Sequence, residues 1–463
     1  MSELIAAIAT PPGPGGVGIL RLSGPGAARA AAQVFRPLGK TPLPAAPDRQ
    51  LLYGRVLDQT GNLLDTGLAF VSRAPRSYTG EDTAEIQCHG SPVVLSLVLD
   101  ALCAAGARLA RPGEFTQRAF LNGKLDLTQA EAVIDLIDAE SPAAARQAAG
   151  QLNGALSRRI DGIYSALTDL MAHFCAVLDY PDEDIDPFQA KQMGQILAEQ
   201  ETALQALLAT SRRGTLLSQG ITCVLVGRPN AGKSSLLNAL AGYERAIVTN
   251  IPGTTRDTVE VRITLGGFPF RLIDTAGLRD SEDPIEQLGV ARSREALAQA
   301  DIILAVWDGT GDFTEEDEAL LAQSVAQADT LFLMNKWDLG NRVLPNLSTE
   351  NHPHTLLPVH LSAKTGQGLD QLETALTQLA EHLAGTAAQS AGEALLTNQR
   401  QTQAAQRASD GVTRAKDALD LGMTPDALLT DVEEALEALG ELTGRTVRED
   451  ITARIFSRFC VGK

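Results

Sequence analysis

A lysine and a serine closing a glycine-rich turn, Gly227-Arg-Pro-Asn-Ala-Gly-Lys-Ser234, are the residues best fitted to do chemistry in this sequence. Gly227 and Gly232 let the backbone turn tightly and aim N–H groups at phosphate oxygens. Lys233 can reach the β- and γ-phosphates, and the Ser234 hydroxyl can ligate Mg²⁺. Asn230, Ala231 and Ser235 complete the stretch that faces the nucleotide. Such a loop needs a buried strand before it and a helix after it. Ile221 to Val226 reads as the strand, and Ser235 to Leu240 as the first turns of the helix. A glycine-rich turn with no nucleotide is the plain alternative, and the two flanks together argue against it.

Further motifs choose the nucleotide. Asp274-Thr275-Ala276-Gly277 closes a second apolar run, Phe270 to Ile273. There an aspartate can hold Mg²⁺ through water, and a glycine N–H can meet the γ-phosphate. Asn335-Lys336-Trp337-Asp338 follows Thr330 to Met334. The Asp338 carboxylate can accept two hydrogen bonds from N1–H and the exocyclic amine of guanine, a pairing adenine does not offer. Ser362-Ala363-Lys364, after Leu356 to Leu361, suits a backbone contact to guanine O6. These motifs, in order on alternating strand and helix patterns, point to a Ras-like P-loop GTPase domain and away from an ATPase.

Thr254-Thr255-Arg256-Asp257 stands where switch I belongs, with Thr255 the natural hydroxyl for Mg²⁺ and the γ-phosphate. Leu278 follows Gly277, where the Ras pattern has the glutamine that orients the attacking water. Arg279, Asp280, Glu282, Asp283 and Glu286 are the nearby candidates for that task, and each reads equally as a solvated charge. No arginine finger in cis is assignable from spacing. The Asn230 amide oxygen, with the phosphates and switch I carbonyls, can hold a monovalent cation in the place of such a finger. A simple loop hydrogen-bonder is the alternative reading of Asn230.

The elements that must position these residues are bounded by composition. A chain of 463 residues allows two or three domains. With 44% hydrophobic and only 4% aromatic residues, the cores are expected to be built from Leu, Ala, Val and Ile. Thirty-nine basic against 57 acidic side chains leave a formal charge of −18, which disfavours indiscriminate binding to nucleic acid or anionic membrane. Any nucleic-acid contact is therefore local; Arg158-Arg159 and Arg445 to Arg458 are candidates, with solvated helix faces as the ordinary reading. The five cysteines are scattered without a CxxC pair, no secretory leader is visible, and the six histidines form no metal-ligand pattern. No apolar run reaches about 18 residues. The expectation is a soluble, cytoplasmic protein with no membrane segment.

Residues 1–120 read as an α+β domain, with strands at Ile5 to Ile8, Val17 to Leu22, Leu51 to Val56, Leu68 to Val71 and Ala84 to Cys88, and helices at Ala28 to Val34 and Pro92 to Leu109. The glycine-rich Thr10 to Gly18 lacks the Gly-Lys-Ser ending and precedes a strand, so it is not a second phosphate loop. Arg21, Glu85 and Lys124 stand out as polar residues, although each taken singly reads as surface. Residues 121–219 turn helical, and Pro181 to Pro187 reads as a capping loop without EF-hand spacing. Residues 220–384 are the GTPase domain. Residues 385–463 return to helix at Ala394 to Leu421, Pro425 to Leu442 and Asp450 to Phe459. Helix before and helix after imply one discontinuous bundle, its core mixing both halves, with the GTPase domain inserted.

The phosphate loop, Asn250-Ile-Pro-Gly-Thr-Thr-Arg-Asp257, Asp274-Thr-Ala-Gly-Leu-Arg279, Ala9-Thr-Pro-Pro-Gly with Gly16-Val-Gly-Ile-Leu-Arg21, Arg111-Pro-Gly-Glu-Phe, Arg118-Ala-Phe-Leu-Asn-Gly-Lys-Leu-Asp and the closing Phe459-Cys-Val-Gly-Lys463 together resemble the MnmE (TrmE) family of tRNA modification GTPases across essentially the whole chain. The resemblance implies an N-terminal domain that binds 5-formyltetrahydrofolate and forms a homodimer, a helical domain and an inserted GTPase. It also implies a flavin-dependent partner, MnmG (GidA), with which the C5 position of the wobble uridine of certain tRNAs is modified.

By the same resemblance Arg21, Glu85, Lys124 and Lys463 fall at folate-contacting positions. Asn230, Thr249, Ile251 and Thr254 match a K⁺ site, within a loop completed by Asn250, Pro252 and Gly253. Ser234 and Thr255 match the Mg²⁺ ligands, and Glu286 the glutamate that acts on the water. Some relatives carry aspartate and alanine where this chain has Asn250 and Pro252. Cys460 beside Arg458 and Lys463 reads either as an activated thiol or as a small hydrophobe. A GTP-dependent assembly or ribosome-associated switch is the rival class; the folate-type positions and the terminal thiol separate the two.

Overall fold

The computed structural model describes residues 3–179, 190–243, 247–248, 260–274, 296–340, 355–384, 393–423, 425–446, 455–457 and 459–462. The chain divides into two compact units, Met1–Ile134 with Leu436–Lys463, and Asp135–Ala435.

In the first unit the sequence alternates short strands with helices: β1 (Ile5–Ile8), β2 (Gly15–Ser23), α1 (Ala27–Val34), β3 (Phe35–Pro37), β4 (Leu52–Leu57), β5 (Leu63–Ser72), β6 (Thr83–Gly90), α2 (Pro92–Ala104), β7 (Arg108–Leu109) and α3 (Glu114–Leu121). The strands form a seven-stranded sheet in the order β3-β4-β5-β6-β2-β1-β7. Its paired strands are antiparallel except for β1 with β7. Apolar residues of α1 and α2, among them Ala31, Val34, Val98 and Leu102, form one core with Leu20, Leu22, Ala84 and Ile86 of the sheet. Because strand side chains alternate in direction, Arg21 and Glu85 between those residues face away from that core, and the register sets them opposite one another.

Two helix limits differ from the periodic pattern. The expected helix Pro92 to Leu109 stops at Ala104; Gly106, at φ +101°, turns the chain so that Arg108 and Leu109 join β1 as a parallel strand. The helix expected from Ala394 begins at Gln399, capped by the Asn398 side chain, which accepts from Gln401 N.

The second unit holds α5 (Pro142–Leu152), α6 (Ala155–Asp179), α7 (Ala190–Leu208) and α8 (Ser211–Gln219), with α4 (Leu127–Ile137) crossing the unit boundary. The late helix Gln399–Asp420 lies on α7, where Glu201 receives Lys416 Nζ at 2.7 Å and Thr413 Oγ1 at 3.1 Å. The helical core therefore mixes both halves of the sequence. Where the chain leaves for the GTPase domain and where it returns, the two segments touch: Leu396 N donates to Thr210 Oγ1 at 3.2 Å, Arg213 pairs with Glu393 at 3.3 Å, and a Cβ on Gly214 would strike the Leu396 carbonyl. The returning segment is held by α5, whose Gln147 and Gln151 donate to the Glu393 and Leu395 carbonyls.

Between those segments lie β8 (Ile221–Val226), α9 (Lys233–Ala241), β9 (Ile247–Val248), β10 (Glu260–Leu265), β11 (Phe268–Asp274), β12 (Ile302–Asp308), β13 (Asp329–Asn335) and β14 (Thr355–His360). The sheet order is β14-β13-β12-β8-β11-β10-β9. β8, β11, β12, β13 and β14 run parallel, while β10 is antiparallel to both its neighbours. The helices α9 and Leu369–Ala384 contribute Leu236, Leu240, Leu372 and Leu376 to the core on one face. This is the doubly wound arrangement of a Ras-like P-loop domain. Ligands of such sheets bind beyond the carboxyl ends of the strands, which is where the sequence motifs lie.

Candidate nucleotide and N-terminal sites

The phosphate loop leaves β8 and enters α9 through Gly232, which sits at the helix N-cap with φ +95°. Gly227 has φ +149°, and Asn230, a non-glycine residue, has φ +67°. Neither glycine has room for a side chain: a Cβ on Gly227 would strike the Val306 carbonyl, and one on Gly232 the Asn335 amide. Asn230, Ser234 and Ser235 are exposed, and Ala231 is buried.

Lys233 is 8% exposed, and its ammonium donates to the Gly227 and Arg228 carbonyls at 2.7 and 3.2 Å. Burial pushes its pKa below the usual lysine value, with the nearby Asp274 charge opposing that fall. A desolvated ammonium ringed by backbone dipoles is ready to neutralise an anion. Ser234 Oγ donates to Asp274 Oδ2 at 2.6 Å. A hydroxyl and a carboxylate so placed are the hard oxygen donors that Mg²⁺ takes, so these residues fit that ion.

Asn335 joins the phosphate loop to the loop that follows β14. Its Nδ2 donates to Ala231 O at 2.9 Å, and its Oδ1 accepts from Ala363 N at 3.0 Å. Lys336, at φ +61°, reaches Asp308 Oδ2 at 2.6 Å. Burial raises the Asp308 carboxyl, but hydrogen bonds from Lys336 and Thr310 outweigh it and leave the group below the usual carboxylate range. Asp338 and Lys364 are exposed; Ser362 is buried, and its Oγ accepts from Thr365 N at 3.2 Å. The sequence reading passed over Asp308, whose only signal is its place at the end of an apolar strand. Thr249, Asn250, Ile251, Pro252, Gly253, Thr254, Thr255, Thr275, Ala276, Gly277, Arg279 and Glu286 lie outside the described residues, as do Pro181 to Pro187, Arg458 and Lys463.

A second cluster lies on the other face of the N-terminal sheet, where buried Phe115 packs with Ile5 and Ala7. Arg21 Nε donates to Glu85 Oε1 at 2.8 Å, and its guanidinium lies 5.7 Å from the centre of the Tyr78 ring and 5.9 Å from that of Phe115. The Tyr78 hydroxyl meets Thr116 Oγ1 at 2.9 Å; burial raises its pKa, while Thr116 and Arg21 oppose the rise. Lys124 is exposed, its stem beside Gly80 in the turn after Tyr78. The guanidinium is thus held by one carboxylate and two rings, of which Phe115 is fully buried. Tyr78 and Phe115 escaped the sequence reading, which weighed polar residues alone.

The base of that cluster is ionic. Glu114, 3% exposed, accepts from Arg108 at 2.8 Å, Arg118 at 3.0 Å and Arg111 N at 2.9 Å. Burial alone would raise its carboxyl, but these donors hold it at about 2. The adjoining Gly113 N donates to Cys460 O at 3.3 Å, and the Phe456 ring lies 6.2 Å from Phe120 and 5.4 Å from Phe459. Gly462 backs onto Ile8 and Ala9, with no room for a Cβ. The closing Phe-Cys-Val-Gly segment thus returns to the N-terminal sheet, and the Cys460 side chain is exposed there.

Comparison with known proteins finds relatives along the whole chain. The family profile described as GTP-binding protein TrmE N-terminus matches residues 4–124, and that described as MnmE helical domain matches residues 127–460. The tRNA modification GTPase MnmE of Chloroflexus aurantiacus is 46% identical over 465 residues, covering 100% of both chains. That of Roseiflexus sp. (strain RS-1) is 44% identical over 472 residues, covering 100% of this chain and 99% of its own. Among solved structures, the G domain of the Thermotoga maritima FeoB iron transporter matches 35% of this chain and 99% of its own at 27% identity, with a TM-score of 0.27.

Proposed function

This chain belongs to the MnmE family of tRNA modification GTPases, and from that premise we propose that it hydrolyses GTP to drive modification of tRNA. The observation that carries the proposal is the Ser234–Asp274 pair, 2.6 Å apart, beside the desolvated Lys233 and joined through Asn335 to the base-binding loops. Lys233 and the loop N–H groups take up negative charge on the phosphates, Ser234 and Thr255 would ligate Mg²⁺ with Asp274 holding it through water, and Asp338 reads guanine.

Asn230, with Thr249, Ile251 and Thr254, would hold K⁺, which supplies positive charge to the transition state in the role an arginine finger has elsewhere. Glu286 and Arg279 are assigned to the attacking water. Arg21, Glu85, Lys124 and Lys463 take 5-formyltetrahydrofolate as the source of a one-carbon unit, and Cys460 is assigned a catalytic role as an activated thiol. The reaction is C5 modification of the wobble uridine, carried out in the cytoplasm by a homodimer with the flavoprotein MnmG (GidA). We assign residues 1–120 to folate binding and dimerisation, 121–219 and 385–463 to the helical domain, and 220–384 to the GTPase.

Hydrolysis measured in K⁺ and then in Na⁺ tests the ion: turnover should fall in Na⁺, and Asn230→Ala should abolish the difference. Equal rates in both salts for the parent chain would remove K⁺ from the mechanism. Calorimetry with 5-formyltetrahydrofolate separates this reading from an assembly switch, which has no use for a folate; no heat of binding would favour the switch.

A further inference from the structure

The turn between α4 and α5 meets the GTPase sheet at Glu140. Arg262 on β10 donates to Glu140 Oε1 at 3.2 Å, and Thr264, two residues further along the same strand face, donates to the Glu140 carbonyl at 2.7 Å. Glu140 therefore gives both side chain and main chain to β10. Its position is fixed from the other side as well, because the next residue, Ser141, caps α5 by accepting from Ala144 N at 3.1 Å.

Charge explains the carboxylate. Arg262 stands directly across the antiparallel pair from Arg271, and like charges at that station drive strands apart. Glu260 answers both, 3.3 Å from Arg262 Nε and 3.5 Å from Arg271 Nε. Asp138 also acts on Arg262 and Asp301 on Arg271, and Glu140 is the carboxylate from outside the sheet that bonds Arg262 directly. Arg271 Nε is buried with no hydrogen-bond partner.

The hairpin matters because of where it ends. β11 finishes at Asp274, the acceptor of the Ser234 hydroxyl, and the residue before it, Ile273, is paired with Glu260. β8 pairs with the other edge of β11 up to Asp274, so the two arginines sit at the one edge of β11 that β10 alone holds. We propose that Glu140 is a positioning residue for GTP hydrolysis, holding the β10–β11 hairpin in the register that sets Asp274 against Ser234. The kinetic side of this role rests on the hydrolysis proposed above; its structural side does not.

The test compares the full-length parent chain with Glu140→Gln and with the exchanged pair Glu140→Arg/Arg262→Glu. In nucleotide-free protein, amide hydrogen exchange across residues 260–274 should quicken about fivefold in Glu140→Gln, with α6 unchanged, and return to within about twofold of the parent in the exchanged pair. The Mg²⁺ concentration for half-maximal hydrolysis should rise by a similar factor of about five in Glu140→Gln and recover in the exchanged pair, while affinity for a fluorescent GDP without Mg²⁺ stays within about twofold. Unchanged exchange in Glu140→Gln, an exchanged pair no better than the single variant, or quickened exchange with an unaltered Mg²⁺ requirement would each overturn the assignment. A parent chain with no GTP turnover would overturn the hydrolysis reading along with it, and is told apart from the other failures by that missing turnover.

Discussion

At the phosphate loop a short unbroken run of chain offers its own backbone, whereas around Arg21 the groups are side chains drawn from β2, the turn before β6, β6 itself and α3. The first plan depends on what is missing, since Gly227 and Gly232 work because they carry no Cβ. The second depends on what is present, and on a fold that brings residues 64 positions apart to within 2.8 Å. A backbone site fails abruptly when atoms are added; a side-chain site fails in proportion to the groups removed.

Gly232→Ala should give the largest effect. The added Cβ meets the Asn335 amide at a φ that suits glycine, so affinity for GTP should fall about 100-fold while 5-formyltetrahydrofolate binding is unaltered. Parallel titrations of the two ligands check this; equal losses at both sites would erase the contrast.

Acid should act on the other site. The Glu114 carboxyl is held at about 2 against an ordinary 4.5, so its stabilisation is complete above pH 4.5 and is lost as the pH falls towards 2. Discounted for solvent at the more exposed Arg108, the contribution is about 2 kcal/mol. Glu114→Gln should lower stability at pH 7 and flatten the pH dependence of urea unfolding between those limits, as followed by circular dichroism. A slope matching that of the parent would remove Glu114 as the brace.

Arg21→Ala gives the smallest expected change: 5-formyltetrahydrofolate affinity about tenfold weaker, with GTP hydrolysis untouched. Lysine at this position should restore little, because a point charge lacks the planar guanidinium whose Nε meets Glu85 while its plane lies near two rings. Calorimetry on the three chains decides it.

The same contrast explains how much could be read in the sequence. Strands bounded by turn residues were legible: the runs Ile5 to Ile8 and Ile221 to Val226 coincide with β1 and β8. The phosphate loop was legible because all its chemistry is local. Tyr78 and Phe115 were not, since nothing in local spacing says that two aromatic rings will flank an arginine far away in the chain. Strand β7 was hidden for a related reason; its two residues are extended only because β1 accepts them. The start of the helix at Gln399 was set from outside too, by glutamines of α5 that hold the preceding carbonyls and by the Asn398 cap. Asp308 and Glu140 owe their interest to partners supplied by the fold.

The paired crossing at Thr210 to Gly214 and Glu393 to Leu396 has a mechanical consequence. A globule hung from one strand of chain can spin freely about it; one carried on two strands stapled side by side can tilt but resists twisting. With Glu140 bonded to β10 as well, the nucleotide-binding part has no single-chain swivel about which to turn.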